Sequence, residues 1–127
     1  MRKPGTGKAQ RGMALIEVLV AVLIFSIGVL AAIGLQATAI HNVTLSKERL
    51  DAALVANQQL GKMWTDPANL VAVTNQAVPS LPNGRLNVTV TPTTDASVSQ
   101  VDIVVTWQSP GATTVSTHAQ SVQISNG

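Results

Sequence analysis

Three hydrophobic patterns follow one another along this chain of 127 residues. From Met13 to Ile40 nearly every residue is apolar, and from Val18 to Leu35 no position carries a charge. A run of that length lets a helix enter a bilayer. From His41 to Trp64 good helix formers continue without proline, and apolar residues recur at helical spacing. On a helical wheel Leu50, Ala53, Leu54, Leu60, Met63 and Trp64 share one arc, predicted to face a core. Lys47, Glu48, Asp51, Gln58 and Lys62 occupy the other arc, and Arg49 is a misfit inside the apolar one. Asp66-Pro67 ends the run. Residues 66–83, with Pro67, Pro79 and Pro82, read as a loop.

Beyond residue 83 the period falls from about 3.6 to 2. Leu86, Val88 and Val90 alternate with Arg85, Asn87 and Thr89, and Val101, Ile103, Val105 and Trp107 alternate with Asp102, Val104 and Thr106. Between Thr113 and Ser125 the phase shifts: Val115 and Ala119 share one side, Val122 and Ile124 the other. That predicts a bulge near Gln120. Pro92 with Asp95, and Pro110 with Gly111, supply turn chemistry between the strands. The expected fold is α+β: a long N-terminal helix packed on a small antiparallel sheet of about three strands. Four segments follow: 1–12, polar and unstructured; 13–40, the apolar half-helix; 41–65, the amphipathic half; and 66–127, loop and sheet, forming one globular domain with 41–65.

Charge sharpens this division. Four of the eight basic residues (Arg2, Lys3, Lys8 and Arg11) fall in the first eleven positions, which contain no acid. Four basic residues then face six acidic ones, so the body of the chain is mildly acidic and not a nucleic-acid binder. Positive charge before the apolar run places the N-terminus in the cytoplasm and the remainder across the membrane. Without cysteine, neither a disulfide nor a thiolate metal site can form.

Glu17 is the one carboxylate inside the apolar segment. Such a group costs several kcal/mol in hydrocarbon unless it is paired. A cut after Gly12 would place the new α-amino group of Met13 one helical turn away, on the same face. That cation could meet Glu17 within one subunit or between neighbours, and a buried pair of this kind is a register device.

The stretch RGMALIEVLVAVLIFSIGVLAAIGLQ resembles the signal of type IV prepilins and type II secretion pseudopilins. The resemblance implies cleavage by prepilin peptidase between Gly12 and Met13, N-methylation of Met13, and docking directed by Glu17. Met13 stands where the family usually has Phe. The continuation IFSIGVLAAIGLQATAI is most similar to PilV-type minor pilins. These imply a subunit that primes pilus assembly near the tip, with an inner-membrane assembly platform, other minor pilins, the major pilin and a tip adhesin as partners. The rival within the family is a GspI-like minor pseudopilin of a type II secretion system. The implied location is the inner membrane, single-pass with the C-terminal domain in the periplasm, and then the filament. No cofactor is implied.

A Sec-exported protein cut at Ala37-Thr38-Ala39 is disfavoured, because the apolar run is long and the helical pattern crosses that site. Enzymatic function is not expected. His41 and His118 are the only histidines, neither with a ligand-spaced partner, and both are expected at the surface.

Overall fold

The computed structural model describes residues 7–126. The chain divides into two compact units, Met1–Asn42 and Val43–Gly127, and helix α1, Gly7–Thr65, contributes to both. Residues 7–12, expected to be unstructured, are helical instead. Lys8, Ala9, Gln10 and Arg11 are good helix formers and extend the helix towards the N-terminus. The rest of that expectation, and Arg2 and Lys3, lie outside the described residues.

In the first unit every residue from Gln10 to Asn42 is exposed. The hydroxyls of Ser26 and Thr38 donate back to the carbonyls of Val22 (2.7 Å) and Gly34 (3.1 Å). Polar groups are thereby satisfied inside the helix, as an apolar surrounding requires.

In the second unit α1 packs on a four-stranded antiparallel sheet of β1 (Val73–Val78), β2 (Gly84–Pro92), β3 (Val98–Trp107) and β4 (Ser116–Ser125), ordered β1-β2-β3-β4. The architecture is the expected α+β, but with four strands instead of three. β1 arises within the stretch read as a loop. Its alternation is broken by a register shift between Val73 and Gln76, where Asn75 adopts φ 54° and its N–H donates to Asn87 Oδ1 at 2.8 Å. Asn tolerates that left-handed conformation, so a polar, bulged strand leaves little period-2 signal.

The inner face of the sheet is built from Leu86, Val88, Val101, Ile103, Val105, Trp107 and Ile124, all buried. β2 and β3 pair without interruption from Arg85↔Thr106 to Pro92↔Ser99, so the alternation read from sequence holds. β4 corrects the expected bulge near Gln120: its register with β3 is unbroken from Trp107↔Ser116 to Val98↔Ser125. Ser116, His118, Gln120, Val122 and Ile124 all take the inward phase, and Ala119 points outward. The apparent phase change comes from polar residues at inner positions. The β3–β4 turn holds Pro110 and Gly111 (φ 79°), with Ala112 N–H donating to Ser109 C=O at 3.0 Å, as a type II turn requires.

The helix face keeps Leu60 and Met63 of the predicted arc and otherwise differs from the wheel reading. Ala52 and Ala56, both fully buried, with Glu48 and Met63, meet the sheet, and Val55 and Leu60 pack beside them. Leu50, Leu54 and Trp64 are 63, 48 and 52% exposed. Close packing on a sheet selects small residues at the contact line, and a wheel weighted by large side chains points elsewhere. Glu48, placed on the solvent arc, is buried and accepts hydrogen bonds at Oε2 from Trp107 Nε1–H (3.2 Å) and the Ser109 hydroxyl. Thr65 ends α1 as Asp66-Pro67 predicts, and the Asn69 amide donates to the Asp66 carboxylate at 3.0 Å.

Candidate assembly and processing site

α1 carries Gly12, Met13 and Glu17 in one unbroken helical stretch. Met13 and Glu17 stand four residues apart on one face, both exposed among a continuous set of exposed apolar side chains that includes Leu15, Ile16, Val18 and Leu19. Among the described residues from 10 to 35, Arg11 and Glu17 are the charged ones. A Cβ built on Gly12 would meet nothing within 4 Å, so the fold itself gives no reason for glycine there. The same is true of Gly28 and Gly34.

α1 is long and apolar enough to cross a membrane, and the qualifying stretch begins near the N-terminus. This feature suggests membrane anchoring. Among the described residues no group of three or more His, Asp or Glu could hold a metal. His41 is exposed, whereas His118, expected at the surface, takes an inward, half-buried position on β4. Sequence reasoning also missed a cleft of about 380 Å³ bounded by Arg49, Trp107, Ser116, Thr117 and His118. Arg49, the misfit of the helical wheel, is exposed beside this polar end of β4. The phase shift in the sequence of β4 was the signal that could have found it.

The N-terminal apolar helix thus presents a glycine before a hydrophobic residue, with a glutamate one turn further. Residues 7–33 match the family model of the prokaryotic N-terminal methylation motif. The chain is also similar to type II secretion system protein I of Vibrio cholerae serotype O1, with 34% identity over 65 residues. That alignment covers 51% of this chain and 56% of the relative, so the chain spans little more than half of it. No solved structure matches the chain. The motif match overlaps the N-terminal stretch whose sequence resembles a prepilin signal.

Proposed function

We propose that the chain is a minor subunit of a type IV pilus-like filament, cut between Gly12 and Met13, N-methylated on Met13 and docked through Glu17. Glu17 carries this reading, as the one carboxylate in an otherwise apolar exposed stretch, inside the matched motif and a helical turn after the proposed cut. The Met13 amine supplies its counter-charge, and in hydrocarbon that pairing sets the depth at which a subunit seats. The four segments act in sequence: 1–12 is the leader, 13–40 the membrane and filament-core half, and 41–65 joins 66–127 in a periplasmic domain.

Similarity to a type II secretion protein favours a pseudopilus as the home of this subunit. The second reading is a PilV-type minor pilin that primes a type IV pilus near its tip, favoured by the run IFSIGVLAAIGLQATAI. Glu17→Gln tests the shared core of both. It keeps shape and hydrogen bonding, and lies outside the scissile bond. Processing should continue while recovery in sheared filaments falls nearly as far as with Glu17→Ala. Wild-type recovery of Glu17→Gln would contradict charge-directed docking. Deleting the gene and scoring secretion against piliation separates the two systems.

A further inference from the structure

The sheet ends at β4, and its two edges are built differently. An edge strand presents unpaired backbone N–H and C=O groups, which folded proteins blunt with short strands, bulges, charges or proline. β1 is blunted: it has six residues, a register shift and Asn75 at φ 54°. β4 is not. It has ten residues in unbroken register, with no proline, lysine, arginine or acid.

The inner side of the same strand is incompletely satisfied. Ser116, His118 and Gln120 stand opposite Trp107, Val105 and Ile103 of β3, in positions that elsewhere in the sheet are apolar. His118 Nε2 and Gln120 Oε1 are closed to solvent and lack a hydrogen-bond partner among the described residues. The Gln120 amide nitrogen donates to Asn57 Oδ1 at 3.2 Å, so only one end of that side chain is met. At the start of β4, Arg49 borders the cleft with Ser116 and His118 and has no ion-pair partner among the described residues. Neighbouring Glu48 forms no ion pair with it among the described residues; its Oε2 instead receives Trp107 and Ser109.

We propose that the β4 edge accepts a β-strand from a different subunit of the filament, one whose acidic side chain enters the cleft and pairs with Arg49. The backbone row calls for an extended strand. The unpaired guanidinium calls for a carboxylate, which it grips in fork geometry. A second copy offering its own β4 is a poor fit, because Ser116–Ser125 contains no acid. The proposal rests on the reading of the chain as a filament subunit.

Hydrogen exchange on the full chain, in detergent and in sheared filaments, tests it. Amides of residues 116–124 should exchange roughly tenfold or more slowly in filaments, while those of β1 stay unchanged. Arg49→Gln should remove that protection and reduce recovery in filaments, and Arg49→Lys should restore part of both. Equal exchange of β4 amides in the two states would overturn the proposal. So would undiminished protection in Arg49→Gln. Absence of the wild-type chain from filaments would instead defeat the underlying reading, and the proposal with it.

Discussion

The Trp107 indole donates its N–H to Glu48 across 59 positions of sequence, tying the last residue of β3 to the buried face of α1. The Ser109 hydroxyl reaches the same carboxylate oxygen, so one side chain satisfies two buried donors. Removing that acceptor leaves both donors stranded. Glu48→Ala should cost about 1–3 kcal/mol. In a domain of this size each kcal/mol lowers the melting temperature by about 4–8 °C. Glu48→Gln keeps an acceptor oxygen and should lose less. Tryptophan-fluorescence melts of the full chain in detergent check the order, and an unshifted Glu48→Ala would show the contact to be idle.

The exposed helix stripe gives a contrast between two neighbouring positions. Ala56 is fully buried against the sheet and Leu54 is 48% exposed. Ala56→Asp should therefore destabilise by several kcal/mol, because it buries an unpaired charge. Leu54→Asp should change the melt of the isolated chain by no more than about 0.5 kcal/mol. Equal losses would mean that Leu54 reaches the core after all.

These two positions also show what the sequence could and could not convey. The membrane-length apolar run, the end of α1 at Asp66-Pro67 and the strands holding Leu86–Val90 and Val101–Trp107 follow from uninterrupted periodicity. The placement of Gly12, Met13 and Glu17 on one helix also follows from that pattern. The packed face of α1 was legible only at Leu60 and Met63, because Ala52 and Ala56 carry little hydrophobic weight on a wheel yet are fully buried in the core. β1 was hidden by Asn75 at its bulge. The polar inner phase of β4 imitated a bulge, because His118 and Gln120 occupy places where alternation demands apolar side chains. Glu48 was misplaced for the same kind of reason: its partners, Trp107 and Ser109, are remote in sequence.

Gly84 has a packing reason that no periodicity reveals. A Cβ there would lie 2.7 Å from the Val78 carbonyl oxygen and 2.8 Å from Leu81 Cβ. The Gly84 N–H also donates to Leu81 C=O at 3.1 Å, closing the β1–β2 turn. Gly84→Ala should cost about 1–3 kcal/mol by overpacking. A denaturant midpoint equal to that of wild type would show that the turn yields freely.

Acid should loosen the β2–β3 turn through Asp95. Hydrogen bonds to its carboxylate from the Ser97 hydroxyl (2.7 Å) and then the Ser97 N–H (2.9 Å) hold its pKa below the ordinary 3.8. With the folded value depressed, the contribution is fully present above the unfolded value. It is lost as pH falls through the folded one. Asp95→Asn should thus melt lower than wild type at pH 6, and the gap should narrow as pH falls below 3.8. A gap independent of pH would assign the effect to shape instead of charge.

The mature N-terminus tests the central claim most directly. Prepilin processing requires the cut to fall at the glycine that the fold itself leaves unconstrained. Intact-mass measurement of the protein from membranes should give a chain that begins at Met13 and carries one added methyl group. Gly12→Val should leave the full-length precursor. A wild-type chain that begins at Ile40, or one that keeps residues 1–12, would contradict the account.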